Sequence, residues 1–505
     1  MHKVLPFHGF SRLRDIARHS RSLSRGRFQL RPSYRFQSHP LVLGVALCLL
    51  ALVTTHSSAQ VGADVGADSS RALSSNGQAT VGANSNCALP ADSNRALSSD
   101  GQATVRADTM VVRLLQDKGI TFSDDNSVTL LMNGQEKFDD MFKAISQARS
   151  SVHLEYFNFR NDSIAWLLFD ILAERAANGV EVRAMFDAFG NDSNNQPLKK
   201  RHLKAMRERG VEVVEFDPLD FPWLNHIWHR DHRKIVIIDG KIAYTGGMNV
   251  ADYYIKGTEQ VGSWHDMHCR IEGEEVNTLQ NIFLRMWNNE THQNVCGPQY
   301  YRAYTTPDYF HDLKPDTTAT AGAKTVGIIN REPRTTNTIV RDFYMAAIDN
   351  ACDSIKLINP YLTLNRKLKR ALRQAVRRGV DVQIMVSAKS DIPLTPDCMF
   401  YNVHRLMKHG VKVWIYEGGF HHTKIIMVDG QLCTVGSANL NARSLRFDYE
   451  ENAVIVDPHV TRQLNDLFER DKASSFPLTE QAWDEWRTPW QKFRGWFAHL
   501  LAPWL

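Results

Sequence analysis

Two short, wholly apolar runs stand out in the hydrophobic pattern of the chain, at residues 235–238 and 425–428. Runs of this length between turn residues are typical of buried strands. Each run leads into an Asp-Gly pair, Asp239-Gly240 or Asp429-Gly430, which favours a tight hairpin turn. The pattern therefore predicts two β-hairpins whose returning strands follow directly.

The elements that precede each hairpin are also repeated. Residues 178–183 match residues 378–383, and residues 209–213 match residues 409–413, both at an offset of 200. Each matched segment places a Gly-Val turn between a helical stretch and an apolar strand. Alternating strands and helices predict an α/β fold with helices covering the sheet, built twice along the chain.

The N-terminal region has a different composition. Leu41–Val53 is a run of thirteen apolar residues (counting Gly44) behind an Arg-rich stretch, which is short for a membrane span and typical of a signal-peptide core. The basic flank favours export of the chain that follows. We expect a signal peptide or an anchor in residues 1–59. A cytoplasmic segment that inserts poorly is the alternative.

Low-complexity sequence separates this segment from the repeated halves. Residues 60–108 are rich in small polar residues that cannot offset the entropy of ordering, so a disordered spacer is predicted. Residues 314–324 form a second linker. The predicted domains are therefore a first half at 109–313, a second half at 325–475 and an aromatic C-terminus at 476–505.

The C-terminus holds five of the eleven tryptophans. Seven large apolar side chains recur there at steps of three or four, the spacing of one helix face: Trp483, Trp486, Trp490, Phe493, Phe497, Leu500 and Trp504. Pro489 should divide the region into two short helices. An aromatic face with basic flanks suits a membrane interface, and packing on the catalytic body is the alternative.

Charge limits the class of partner. Residues 1–39 carry a net charge of +8, which leaves −3 for the remainder of a chain whose net charge is +5. A slightly acidic body argues against a nucleic-acid enzyme, which normally has a basic footprint. The seven cysteines include no C-x-x-C pair and indicate neither a disulfide framework nor a zinc site.

The candidate chemistry lies in the two hairpins. His232 and Lys234 precede the first apolar run, and His422 and Lys424 precede the second, each with the pattern H-x-K-x4-D. Each motif continues into a Gly-rich turn that ends in an asparagine, Asn249 or Asn439. Two such units face to face would bring two His, two Lys and two Asn to one point. Lys and Asn suit phosphoryl oxygens, while one His attacks phosphorus and the other protonates the leaving oxygen.

This duplicated pattern resembles the phospholipase D superfamily and, within it, the bacterial cardiolipin synthases, over roughly residues 110–505. Residues 264–266 and 270–273 of the first half are similar to that branch. Asn441 and Asp448 depart from its usual Asp and Asn. The resemblance implies two similar α/β/α sandwich halves related by a pseudo-twofold axis, with one shared active site between them.

The remaining site residues follow from position and resemblance. Asp239 and Asp429 complete the catalytic motif, but each lies about 20 Å along a strand from its histidine. A role in forming the hairpin turn is therefore the favoured alternative. We assign Asp266 to orient His232 and Glu450 to orient His422, on later strands. Gly247 and Ser437, in the Gly-rich turns, are assigned to phosphate binding together with the two asparagines.

The resemblance implies a phosphatidyltransferase that makes cardiolipin from two phosphatidylglycerol molecules through a phosphatidyl-histidine, with His232 as nucleophile and His422 as acid and base. A phospholipase D that uses water is the first alternative, and an inactive lipid-binding scaffold is the second. We expect no metal or other cofactor, no nucleic acid, a membrane surface as partner and a bacterial cell-membrane location with an extracytoplasmic body. Nothing in the sequence indicates an oligomeric state.

Overall fold

The computed structural model describes residues 106–218, 228–302 and 324–502. The N-terminal apolar run, most of the predicted spacer and linker, and the side chains of Phe221, Trp223 and Trp504 lie outside these ranges. Among the described residues, no helix is long and apolar enough to cross a bilayer.

The described residues up to 302 begin with one helix and continue as alternating strands and helices. Its helices are α1 (Ala107–Asp117), α2 (Gly134–Ser146), α3 (Ser163–Ala177), α4 (Ala188–Ser193), α5 (Lys200–Glu208), α6 (Tyr253–Lys256) and α7 (Glu275–Thr291). Its strands are β1 (Ser123–Leu131), β2 (Ser151–Tyr156), β3 (Glu181–Asp187), β4 (Glu212–Phe216), β5 (Lys234–Ile238), β6 (Ile242–Gly246), β7 (Trp264–His265) and β8 (His268–Glu272).

The second half repeats this order. Its helices are α8 (Ile339–Asn350), α9 (Arg366–Arg377), α10 (Thr395–Met407), α11 (Ala442–Arg446), α12 (Pro458–Lys472), α13 (Glu480–Trp486) and α14 (Pro489–Leu500). Its strands are β9 (Lys324–Arg331), β10 (Ser354–Ile358), β11 (Asp381–Ser387), β12 (Lys412–Tyr416), β13 (Phe420–His421), β14 (Ile425–Val428), β15 (Leu432–Gly436), β16 (Glu450–Val456) and β17 (Ser475–Pro477).

One continuous sheet joins the two halves. Among the described residues it has fifteen strands in the order β17-β12-β11-β10-β14-β15-β16-β9-β1-β8-β6-β5-β2-β3-β4. Read outward from the central antiparallel β1–β9 pair, the two sides have matching strand orders, apart from the extra β17. The α/β class and the two pseudo-twofold halves are confirmed, and the halves meet edge to edge.

The turns that carry the repeat have equivalent backbone conformations. Gly179 and Gly379, each just after a long helix, have φ of 86° and 95°. Glycine is the residue that adopts this left-handed conformation without steric cost, which ends the helix and starts the next strand. The Gly-Val matches at an offset of 200 therefore mark equivalent helix ends.

Helix α1 differs from the predicted domain boundary. Its apolar face, with Val111 and Leu115 fully buried, packs into the core of the second half beside α8. Lys118, which follows the helix, forms an ion pair with Asp342 of α8 at 3.0 Å. The assignment of residues 109–117 to the first half is therefore wrong, because the amphipathic pattern of α1 says that a face is buried but not against which half.

The C-terminal helices divide the aromatic row. Pro489 begins α14, as predicted, so α13 and α14 are separate. Trp483 is buried in the core of the second half, whereas Trp490 is 64% exposed. The aromatic row at helical spacing is therefore divided between two helices, and the Trp483 end packs on the body of the protein while the Trp490 end is exposed.

The aspartates at the hairpin tips hold backbone rather than substrate. Asp239 has a positive φ of 53°, as the predicted turn requires, and its carboxylate accepts hydrogen bonds from the backbone N–H groups of residues 149–151 at 2.8–3.2 Å. Asp429 accepts the equivalent bonds from residues 352–354. The catalytic assignment of Asp239 and Asp429 is corrected to a structural one, because both lie at the opposite end of the hairpin strand from the histidine.

We expect Asp239→Ala to lower the free energy of unfolding by about 2–3 kcal/mol, since it removes a buried carboxylate that accepts several backbone N–H bonds. Urea denaturation of the whole chain measures this loss. Asp239→Asn, which keeps one acceptor oxygen, should lose less. A variant of unchanged stability whose turnover per folded molecule falls 100-fold would restore a catalytic role to Asp239.

Candidate active site

The two H-x-K segments lie just before the central hairpin strands. His232 precedes β5, which starts at Lys234, and Lys424 lies directly before β14. All four side chains sit at the ends of buried apolar strands. The side chain of His232 is 15% exposed and that of His422 is 9% exposed, so both rings remain partly accessible, and we call the space that they face the cleft.

Each histidine is held by a carboxylate from the other half. Nδ1 of His232 lies 3.0 and 3.1 Å from the two carboxylate oxygens of Glu450. Nδ1 of His422 lies 2.6 Å from Oδ2 of Asp266. The assignment of Asp266 to His232 and of Glu450 to His422 is therefore wrong, although all four residues belong to the site.

Backbone pairing between the halves explains the crossed arrangement. The N–H of His232 donates to the carbonyl of Tyr449 at 3.0 Å, which places Glu450 beside His232. The N–H of His422 donates to the carbonyl of His265 at 2.7 Å, in line with the parallel β7–β13 pair. Each carboxylate thus lies on a segment that pairs with the histidine segment of the other half. The distance along the chain between a histidine and a carboxylate of the same half does not reveal this pairing.

The Nδ1 contacts leave Nε2 of each ring as the reactive nitrogen. A carboxylate on Nδ1 fixes the tautomer in which that nitrogen carries the proton and Nε2 carries the lone pair. Burial and Lys424 lower the pKa of His422 to about 4, despite the opposing charge of Asp266. Burial and Lys234 also lower the pKa of His232. Both imidazoles are therefore neutral near pH 7 in the free protein.

The orienting carboxylates are charged. Burial alone would raise the pKa of Glu450, but His232, Lys234 and the Ser437 hydroxyl outweigh burial and lower it to about 2. Lys424 and His422 similarly outweigh burial and lower the pKa of Asp266. Each half-site therefore combines a neutral imidazole with a fixed negative charge behind it.

Both lysines point back onto the histidine segments. Nζ of Lys424 donates to the carbonyl of His422 at 2.5 Å and lies 2.8 Å from Nδ1 and 3.2 Å from Nε2 of the same ring. Nζ of Lys234 donates to the carbonyl of His232. Burial and the charge of Lys234 lower the pKa of Lys424 to about 8, against the attraction of Asp266. The two ammonium groups therefore place positive charge at both histidine segments.

The asparagines of the Gly-rich turns are buried with free acceptor atoms. Among the described residues, Oδ1 of Asn249 and Oδ1 of Asn439 are inaccessible to solvent and have no hydrogen-bond partner. Lys137, which is fully buried, holds the first turn by donating to the carbonyl of Asn249 at 3.0 Å. The structure therefore brings both asparagines to the site region in equivalent turns, and their role in phosphate binding stays a prediction.

Gly247 and Ser437 have a different place from the one predicted. The Ser437 hydroxyl donates to Oε2 of Glu450 at 2.5 Å. A Cβ on Gly247 would lie 2.2 Å from Oδ1 of Asp266, so only glycine fits against that carboxylate. Their assignment to phosphate binding is corrected: both residues position the carboxylates that orient the histidines.

Several site residues carried no motif in the sequence. Aromatic rings of Trp264, Tyr361 and Phe420 surround His422 at centroid distances of 5.5–5.7 Å, and Phe157 lies 5.1 Å from His232. These rings wall the cleft with apolar surface. Trp264 lies in a segment that resembles the family, and the signal for the other rings is their position next to strand ends that become part of the site.

Glu451 is a further buried acid at the junction of the halves. It accepts a hydrogen bond from the Thr245 hydroxyl at 2.5 Å, and burial together with Glu450 raises its pKa to about 8 against the pull of Lys234. Glu451 is therefore mostly protonated near pH 7. The sequence signal for Glu451 is the pair of consecutive acids that begins strand β16.

The two departures from the family pattern are explained locally. Asn441 caps helix α11 by accepting the N–H of Ser444 at 2.9 Å. Asp448 forms an ion pair with Arg443 at 2.9 Å. Neither side chain contacts the catalytic histidines. Within the described ranges, no group of three or more His, Cys, Asp or Glu side chains is arranged to hold a metal ion.

Known proteins match both the sequence and the fold. Residues 141–287 and 344–472, together more than half of the chain, match the family described as "Cardiolipin synthase, PLD-like domain". The chain is 35% identical over 355 residues to the probable cardiolipin synthase YwiE of Bacillus subtilis, covering 70% of this chain and 67% of that protein. It is 34% identical over 396 residues to cardiolipin synthase 2 of Staphylococcus epidermidis, covering 78% of each.

A solved structure agrees on the fold. The crystal structure of phosphatidylserine synthase from Haemophilus influenzae Rd KW20 superposes with a TM-score of 0.59 at 14% identity, covering 78% of this chain and all of that one. At that identity the likeness concerns the fold alone. The duplicated half-sites, the family match across both of them and relatives of above 30% identity along most of their length lead to one conclusion: the chain belongs to the cardiolipin synthase family of phospholipase D-like proteins.

Proposed function

We propose that this protein is a cardiolipin synthase, a phosphatidyltransferase that joins two phosphatidylglycerol molecules and releases glycerol. The observation that carries the proposal is the crossed pair of histidine–carboxylate contacts, which closes one site from two half-sites. Each histidine ring is neutral and is oriented so that Nε2 can react. Two buried ammonium groups lie at the two histidine segments. This is the arrangement that a two-step displacement at a phosphodiester needs.

In the first step, Nε2 of His232 attacks phosphorus, a P–N bond forms and the P–O bond to the leaving glycerol breaks. His422 donates its proton to the departing oxygen. The free enzyme holds His422 neutral, so the anionic phosphodiester, once bound beside it, has to favour the protonated ring. Lys234 and Lys424 stabilise the charge that develops on the phosphoryl oxygens.

In the second step, the terminal hydroxyl of another phosphatidylglycerol attacks the phosphatidyl-histidine. His422, now neutral, takes the hydroxyl proton, the new P–O bond forms and the P–N bond to His232 breaks. The His422 side of the cleft is walled by Trp264, Tyr361 and Phe420. An apolar wall around the general base disfavours water as acceptor, which supports transfer over hydrolysis.

The products test this proposal. We expect the purified full-length protein, incubated with phosphatidylglycerol vesicles, to form cardiolipin and glycerol in equal amounts. Thin-layer chromatography of labelled lipid separates the outcomes, with His422→Ala as the inactive control. Phosphatidic acid as the main product would show that the enzyme is a hydrolase. If no product forms, the result would support a lipid-binding scaffold.

The crossed contacts predict which variant stops which step. Rapid quenching in denaturant at neutral to mildly alkaline pH should leave the phosphatidyl group on His232, because the P–N bond is stable there and labile in acid. Glu450→Gln should reduce formation of this adduct, because Glu450 orients the nucleophile, whereas Asp266→Asn should mainly slow the steps that use His422. Rapid-quench measurement of the adduct separates the two. Label on His422, with the variant effects exchanged, would reverse the roles.

The alkaline side of the pH profile tests Lys424. The ammonium form is the one that stabilises phosphoryl charge, and it is lost as pH rises through the pKa of about 8. We therefore expect kcat/KM on a short-chain soluble phosphatidylglycerol to fall above pH 8. Lys424→Arg, if active, should move this decline to higher pH, and Lys424→Met should lower turnover about 10²–10³-fold. An identical alkaline limb in Lys424→Arg would assign the decline to another group.

A further inference from the structure

The exposed apolar surface of the described chain is concentrated on one helix. Seven large hydrophobic side chains are more than a third exposed, and five of them lie on α14: Trp490, Phe493, Trp496, Phe497 and Leu500, at 46–64% exposure. Trp490 and Phe493 stack at a centroid distance of 5.5 Å, and Trp496 adjoins Phe493 at 5.7 Å. These side chains form a continuous ridge rather than scattered single residues.

The opposite face of α14 is built for close packing. Gly495 and Ala498 are buried, and a Cβ on Gly495 would lie 2.9 Å from the carbonyl of Asp397 in the first turn of α10. Arg494 also pairs with the carboxylate of Asp397. The small residues therefore fix α14 against α10 and hold the aromatic ridge outward, so the exposure of the ridge follows from the packing of the helix.

A row of cations without acidic partners lies on α9, which contacts α10 through Lys369 and Asn402. Residues 366–378, on and just after α9, contain seven basic residues and no acidic one. Among the described residues, none of these seven side chains forms an ion pair with an acidic side chain within 4.0 Å. Arg370, Arg373 and Arg377 line one shallow depression. Helix surfaces normally intersperse acids among such cations, so this face is left with a large uncompensated charge.

The cations and the ridge belong to one side of the molecule. The ring of His499, on α14, lies 5.0 Å from that of Tyr401 on α10. Burial, together with the charges of Lys369, Arg405 and Arg366, lowers the pKa of His499 to about 4. These three cations of α9 and α10 therefore act on the last turn of α14, and Lys369 of α9 also contacts Asn402 of α10 at 3.3 Å. We name the ridge together with the basic residues of α9 the cationic–aromatic face.

This face borders the mouth of the active site. The first turn of α10, on which α14 packs, directly follows the loop at residues 388–394. Within that loop, Asp391 accepts a hydrogen bond from Tyr361 at 2.6 Å, and the Tyr361 ring lies 5.7 Å from His422. Ile392, next in sequence, is another of the seven exposed large hydrophobics. Exposed apolar surface thus continues from α14 toward the rim of the cleft.

We propose that the cationic–aromatic face docks the enzyme on a bilayer of anionic phospholipid, with the α14 aromatic side chains at the headgroup boundary and the α9 guanidinium groups on lipid phosphates. Aromatic rings are favoured at this boundary, and arginine binds phosphate in a bidentate manner. The inference deepens the proposed function, since docking here would turn the cleft toward a membrane that holds its substrate. It concerns binding, and it is tested without turnover.

The test uses the full chain carrying His422→Ala, so that no lipid is consumed. Vesicles of phosphatidylglycerol or of phosphatidylcholine, each brominated along the acyl chains, quench tryptophans that enter the bilayer. We expect quenching by phosphatidylglycerol vesicles to exceed quenching by phosphatidylcholine vesicles and to weaken with salt. The double change Trp490→Phe and Trp496→Phe keeps the ridge apolar and should remove most of the quenching, which assigns it to α14 rather than to another tryptophan.

Charge variants test the α9 half of the face. Arg366→Gln, Arg370→Gln and Arg377→Gln together should weaken the phosphatidylglycerol-dependent quenching roughly 10- to 100-fold in lipid concentration. The matched control removes three exposed cations from α5, with Lys200→Gln, Arg201→Gln and Lys204→Gln, and should change it little. Far-ultraviolet circular dichroism confirms that both triple variants fold.

Three results would overturn the proposal. Equal loss of quenching in the α5 control would show that the effect depends only on net charge. Quenching that survives in the tryptophan double variant would place the membrane contact elsewhere. A protein dimer in solution that dissociates in the same double variant, without lipid quenching, would assign the ridge to a second copy of the chain. Normal vesicle binding with no cardiolipin formed by the wild type would leave the docking face intact and refute only the proposed function.

Discussion

The site depends on two contacts between the halves, in each of which a carboxylate of one half holds the catalytic histidine of the other. Glu450 of the second half holds His232 of the first, and Asp266 of the first half holds His422 of the second. Neither half alone has a histidine with its orienting partner. The backbone bonds that align Tyr449 with His232 and His265 with His422 are therefore part of the catalytic geometry, and the edge-to-edge sheet keeps them in register.

This arrangement places several charges in a volume from which water is largely excluded. Two ammonium groups and two charged carboxylates lie behind two neutral rings, and removing any one partner would leave a buried charge without compensation. Glu451 lessens the problem because burial keeps it mostly protonated, so it can serve as a hydrogen-bond acceptor for Thr245 without adding a third negative charge. Burial lowers the pKa of both lysines. A lowered pKa suits groups that must release a phosphodiester after each turnover.

Much of the fold and the core of the site could be predicted from local pattern. The Gly-Val turns, the Asp-Gly hairpins and the duplicated H-x-K segments each encode a local conformation, and the structure places them as the repeat implies. Which carboxylate serves which histidine could not be predicted in this way, because the answer lies in pairing between strands from different halves. The same limit applies to α1, whose periodicity shows a buried face but not its partner, and to Ser437, whose hydroxyl points to a carboxylate rather than to the cleft.

The position of α1 has a consequence for how the chain is made. Its apolar face is completed by α8, which begins about 220 residues after α1 ends. At about 5–20 residues per second, a ribosome needs roughly 10–45 s to synthesise that interval. Throughout this period Val111 and Leu115 have no core to enter, while the strands of the first half are already available to pair. The nascent protein therefore has to keep α1, the first helix of the described residues, from packing on the first half or aggregating until the second half has been synthesised.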